Sequence, residues 1–220
     1  MTAHTGCSAI VVTALSVLTA SSARPQLMST CVENSPERRG ELGCRIIESK
    51  LLPDGLREPL FWHIDRFNSR ELARAAVSDA SVEFEAAGAS WLMTIESRMS
   101  DHHGGQHVAG VGPLPLPRVP RLSMQVLSTV FTPGMYSLVH HHSGVEAVYV
   151  IEGEACFETP SRASTLHKGE TLAVPGGTPM RAVVTGTTRR YVLGVIVHDA
   201  AQPPTTRMEE GTGRKLVGCK

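Results

Sequence analysis

Aromatic residues are scarce in this 220-residue chain: two Trp, three Tyr and five Phe, 5% of the total. Net charge is absent as well, since 21 Lys+Arg are balanced by 21 Asp+Glu, and no basic run occurs. That balance gives no support for a nucleic-acid partner or for docking on an anionic membrane surface. There is no phosphate loop, nucleophile elbow or nucleotide fingerprint. No C-x2-C pair suggests a zinc knuckle, and no repeat of solenoid period is present. No apolar run is long enough to span a bilayer comfortably. What the chain has instead is 20 Gly and 14 Pro, a composition that suits short strands separated by many turns.

The first 23 residues carry no acidic or basic side chain, and Ser8 to Ala20 is a run of apolar and small residues. Ala20-Ser21-Ser22-Ala23 offers small residues for cleavage, so residues 1–23 read as a signal peptide, with only His4 where a basic start is usual. The expected location is periplasmic or secreted, with the cytoplasm as the alternative and no membrane span in the mature chain. Cys31, Cys44, Cys156 and Cys219 would remain, an even number that permits three pairings. A disulfide between Cys31 and Cys44, or from either to Cys219, would pin a terminus. Cys156 reads as a small buried residue on a strand.

Residues 24–105 read as an N-terminal β-β-α-β-β extension followed by a loop. Its elements are Arg45–Leu52, Leu60–Phe67, a helix over Ser69–Val77 started by Asn68, then Ser81–Glu85 and Ser90–Glu96. The helix would bury Leu72, Ala75 and Ala76. Such a unit is too small for an independent core and is expected to pack on, or extend, a larger sheet. His63 and Asp65 share a strand face and read as packing and surface polarity. The stretch from Ser100 to Arg121 is rich in breakers. His102, His103 and His107 in it are expected to be solvated, and the stretch is long enough to act as a lid. From Leu122 onward strands recur about every ten residues, the pattern of a sandwich or barrel. Residues 201–220 read as a surface tail.

The richest stretch is Gly134 to Gly153. In an extended strand His140 and His142 share one face and His141 points away. A turn at Ser143-Gly144-Val145 returns Glu146 on the next strand. Two imidazoles and a carboxylate suit a divalent metal ion, Fe, Mn, Zn or Cu, and a 2-His-1-carboxylate face leaves positions open. By the same alternation Tyr136, Leu138, Met180, Ala182, Val148 and Val150 would line a mostly apolar pocket for a small organic molecule. Tyr136 is placed to orient a substrate oxygen. His198, followed by Asp199 at the end of the last strand, is placed for proton transfer.

The spacing G-x5-H-x-H-x3-E-x6-G resembles the first motif of the cupins at every position. Gly169, Pro175 and Gly177 resemble the second, G-x5-P-x-G-x2-H, but Met180 stands where the fourth ligand histidine belongs. The resemblance covers roughly residues 106–200. It implies a mainly β fold, a jelly-roll β-barrel carrying the N-terminal α+β extension, and it makes a homodimer the default. It implies a metal on His140, His142 and Glu146 and an exported metal-dependent enzyme, oxygenase-type first and isomerase or lyase second. The alternative is a non-catalytic small-molecule-binding module whose metal site has degraded, which the thioether of Met180 favours because it is a poor ligand for most divalent ions.

Overall fold

Alternating apolar residues from residue 43 onward give a mainly β structure, with a single short helix among the described residues. The computed structural model describes residues 27–28, 31–33, 42–98, 104–209 and 215–219. The expected signal peptide, His102 and His103 lie outside the described residues. The elements are β1 (Leu27–Met28), β2 (Cys31–Glu33), β3 (Gly43–Leu51), β4 (Phe61–Phe67), α1 (Arg70–Ala75), β5 (Ser81–Ala86), β6 (Ala89–Glu96) and β7 (Gln106–Val111). They continue with β8 (Leu122–Phe131), β9 (Tyr136–Ser137), β10 (His140–His142), β11 (Val145–Glu152), β12 (Glu154–Glu158) and β13 (Ala163–His167). The last are β14 (Thr171–Val174), β15 (Arg181–Val183), β16 (Arg190–Asp199) and β17 (Thr205–Arg207).

Three larger sheets result. A six-stranded sheet runs β14-β11-β16-β8-β3-β2, and a five-stranded sheet runs β1-β9-β15-β12-β13. Side chains of both line one cavity, which is the interior of the barrel. A four-stranded sheet, β5-β6-β4-β7, packs on the outer face of the six-stranded one. The strand period of two explains how one sheet serves two layers. On β16, Val192 faces the interior, while Leu193, Val195 and Val197 enter the outer core with Trp62, Ile64, Met93 and Ile95 of the four-stranded sheet. These side chains are essentially inaccessible, and each contributes about 1.5–3 kcal/mol of burial. Trp91 meets Tyr149 across the same layer, with ring centres 6.3 Å apart.

The N-terminal unit is divided between layers. β3 joins the barrel's six-stranded sheet through β8, whereas β4, β5 and β6 form the outer sheet. β7, in the stretch expected to be a loop, pairs with β4, so sheet membership does not change at residue 106. The glycines there serve close packing: a Cβ on Gly105 would sit 2.7 Å from the Phe67 ring and 2.9 Å from the Arg66 carbonyl oxygen. His107 is not a solvated loop residue, since its Nδ1 lies 3.2 Å from Oδ1 of the fully buried Asp65. The helix starts at Ser69, whose hydroxyl accepts from the Leu72 backbone N–H at 3.4 Å, and it buries Ala73 while Leu72 stays exposed. At six residues it is too short to be stable in isolation, and it is held by tertiary packing on Phe67 and Leu92.

The C-terminal segment is mostly exposed and is tethered at two points. β17 pairs antiparallel with β10, the histidine strand. Cys219 is bonded to Cys156 on β12, which is part of one of the three pairings the four cysteines permit, and Cys156 is therefore not a free apolar residue. Cys44 is also disulfide-bonded, and in the parallel β2–β3 register Cys31 stands opposite it. Among the described residues, no helix is long and apolar enough to cross a membrane.

Candidate functional site

The cavity has a volume of about 240 Å³ and is lined by both barrel sheets and by the rim strands. β10 is a short strand fixed on both sides. On one side His140 exchanges backbone hydrogen bonds with Met180, N to O at 3.1 and 2.8 Å. On the other, His140 and His142 stand opposite Arg207 and Thr205 of β17. Glu146 comes from the six-stranded sheet, where β11 is paired on both edges by β14 and β16. The turn between them depends on Gly144. A Cβ there would fall 1.9 Å from the Val197 carbonyl oxygen and 2.6 Å from the His198 Cα, so only glycine lets β10 approach β16 this closely.

His140, His142 and Glu146 all line the cavity. The Nδ1 of His140 lies 2.8 Å from the Leu138 carbonyl, and the Nδ1 of His142 lies 3.1 Å from the Pro204 carbonyl and 3.0 Å from Thr205 Oγ1. A carbonyl only accepts, so each Nδ1 carries a proton, and in the neutral ring each Nε2 presents a lone pair. Outer partners of this kind orient metal-binding histidines. The Nε2 of His142 and the Oε2 of Glu146 are buried and 3.4 Å apart, an ion pair when the imidazole is protonated, and among the described residues neither atom has another partner. The His140 and His142 rings meet edge to face, centres 4.9 Å apart. Among the described residues, no three His, Cys, Asp or Glu side chains converge as a ready-made metal site.

Burial and charge act against each other here. Burial, the largest single influence, pulls the His142 pKa down, but the Glu146 charge, the close Glu146 contact and the Pro204 carbonyl together outweigh it and the net shift is upward. Burial pushes Glu146 up, and the charges of His142, His140 and Arg190 overcome it, so its carboxyl is held below the usual range. His140 is lowered, chiefly by burial and then by the His142 charge.

Leu138, Val148, Met180 and Ala182 line the cavity as alternation requires. Three other residues singled out from sequence do not. Tyr136 is separated from His140 by a break in the strand after Ser137, which ends the alternation, and its ring lies under the Arg181 guanidinium at 5.5 Å. Val150 is fully buried in the hydrophobic cluster with Val148 and Ala155, outside the lining. His198 is buried beyond the rim, its Nδ1 turned to the Asp199 carbonyl at 2.8 Å, and burial lowers its pKa.

The sequence reading missed Arg190, Gln125, Thr129 and the rim residues Pro204, Thr205 and Arg207, all of which line the cavity. Counting back by two along β16 from Val192 would have reached Arg190. Nothing in the tail sequence points to the rim.

The family model for the cupin domain of the Cupin_2 type matches residues 128–196. No protein of curated function matches the sequence. Several solved structures are similar. A cupin-like protein from Thermotoga maritima shares 21% identity over 39% of this chain and 64% of that one, with a TM-score of 0.36. A DMSP lyase from Ruegeria pomeroyi shares 18% identity over 38% of this chain and 42% of that one, TM-score 0.35. An oxalate oxidase in complex with the substrate analogue glycolate shares 22% identity over 39% and 45%, TM-score 0.33. The chain thus spans less than two thirds of each of these proteins. The matched segment runs from within β8 nearly to the end of β16 and contains all three polar residues discussed above: residues 128–196 are a domain of the cupin superfamily.

Proposed function

We propose that the barrel cavity binds one divalent metal ion through His140, His142 and Glu146, together with a small organic ligand lying on the apolar wall. The observation that carries this reading is the locking of both Nδ1 atoms on backbone carbonyls, which frees both Nε2 atoms in the cavity that Glu146 also lines, with the His142 Nε2 3.4 Å from the Glu146 carboxylate. Two imidazoles and a carboxylate suit Fe, Mn, Zn or Cu. A metal held there would supply Lewis acidity or redox chemistry with O2. The protein's own part is to fix the ring tautomers, exclude water with Leu138, Val148, Met180 and Ala182, and close the rim with Pro204 and Thr205. On this reading the chain is an exported metal-dependent enzyme, with oxygenase assays first and isomerase or lyase assays second. The disulfides are in keeping with export.

The test is elemental analysis of protein purified without chelator, beside Glu146→Ala. Near-stoichiometric metal that disappears in the variant supports the site; equal metal in both removes Glu146 from it. Met180, buried at the position of the fourth family ligand, supports a second reading in which the cavity binds its ligand without metal. Absence of metal from the wild type, with ligand binding retained, would select it.

A further inference from the structure

Arg190 is a charged wall residue of the same cavity, and the metal reading leaves it unused. At the start of β16 it is 1% exposed. Its Nη1 donates to Thr129 Oγ1 at 3.2 Å, and its guanidinium carbon lies 4.1 Å from the centre of the Phe131 ring. Its Nε and Nη2 are buried and have no hydrogen-bond partner among the described residues. These two nitrogens share one edge of the guanidinium plane, where their N–H bonds run parallel and match the two oxygens of a carboxylate. A hydroxyl thus pins one corner, a ring backs the flat face, and the bidentate edge is left open. A buried cation without an anion is costly, and burying this one lowers its pKa to about 9. The Glu146 charge reaches it, yet neither forms a hydrogen bond to the other. In register Glu146 stands opposite Ile196 of β16, while Arg190 begins that strand. That offset is roughly 20 Å of backbone at about 3.3 Å per residue, before either side chain reaches inward. The wall they share is mostly apolar, with Leu127, Val148, Phe157, Met180 and Val192, and carries Thr129 and Gln125 as polar members.

We propose that Arg190 is the anchor for the ligand's carboxylate, and that the ligand is an organic monocarboxylic acid whose apolar body runs from Arg190 toward His140, His142 and Glu146. The proposal rests on the cavity being the ligand site and is independent of whether a metal is bound. It is tested by calorimetric titration of the full chain with straight-chain carboxylates from butanoate to octanoate and with the matched primary amides. At least one acid is expected to bind, with its amide about ten- to a hundredfold weaker. Arg190→Gln should abolish that preference, and Arg190→Lys should retain only part of it, because the ammonium keeps the charge without the fork. Metal content should be unchanged in both variants. Acids and amides binding alike, or no acid binding at all, would overturn the proposal. If Arg190→Gln does not fold, the acid–amide comparison on wild type decides alone. A protein without metal that still binds acids through Arg190 would remove the metal reading and keep this one. A protein with metal that ignores the carboxylate would do the reverse.

Discussion

Replacing Arg190 with methionine is expected to make the ligand-free protein more stable. The guanidinium is buried among apolar walls, and burial pushes its pKa well below the usual arginine range, to about 9, despite the favourable Glu146 charge. At about 1.36 kcal/mol per pKa unit, that displacement is a penalty of roughly 5 kcal/mol on the charged form. The penalty acts in full at neutral pH, where the side chain is charged both folded and unfolded. Against it stand one hydrogen bond to Thr129 and the contact with the Phe131 ring, together worth about 2–3 kcal/mol. Methionine has a similar reach, packs well on an aromatic ring and needs no partner. The balance favours the variant by about 2 kcal/mol, or roughly 4–8 °C in melting temperature for a chain of this size. Thermal unfolding of wild type and Arg190→Met, both free of ligand, measures it directly. A variant that melts below the wild type would show that the open guanidinium edge is satisfied within the protein, and the reasoning would fail.

Gly144→Ala should cost about 1–3 kcal/mol or more, because the new methyl group meets the backbone of Val197 and His198, which cannot give way as a side chain would. It should also lower metal content by displacing β10 from Glu146; a variant with wild-type melting and metal would contradict the packing described. The Cys156–Cys219 disulfide joins residues 63 apart in sequence. Replacing both with alanine should destabilise the protein by up to about 4 kcal/mol on the chain-entropy model, measured by urea unfolding, and an unchanged midpoint would show that the bond constrains little. Met180→His should place a third imidazole beside His140 and raise zinc affinity by about tenfold or more in competition with a chelator; unchanged or lower affinity would show that position 180 does not face the ion.

The centre of the barrel was legible because two periodicities coincide there. The alternation of His140 with His142 and of Val148 with Glu146 gives the face, and the glycines give the turns. Strand β8 and strand β12 begin and end where the sequence pattern places them. Alternation failed where the strand itself breaks. Tyr136 lies in β9, not in β10, so its face cannot be counted back from His140. The elements that were not foreseen are edge or rim strands. β7 contains glycines that fit against Phe67, β13 is polar, and β17 is three exposed residues held by pairing with β10. Such segments bury few apolar residues, Val111 in β7 and Leu166 in β13, too few for hydrophobic periodicity to mark them as strands. Arg190 was missed for a related reason: an arginine beginning a strand reads as solvated, and only the depth of the cavity buries it.

The measurement closest to the central claim is the ¹⁵N–¹H correlation spectrum of the histidine side chains in uniformly labelled, metal-free protein at about pH 8, where free imidazoles are neutral. The account predicts that His140 and His142, assigned through single histidine replacements, are both protonated on Nδ1 and bare on Nε2, and that one equivalent of zinc shifts both Nε2 resonances. Protons on Nε2 in the metal-free protein, or resonances that zinc leaves in place, would contradict it.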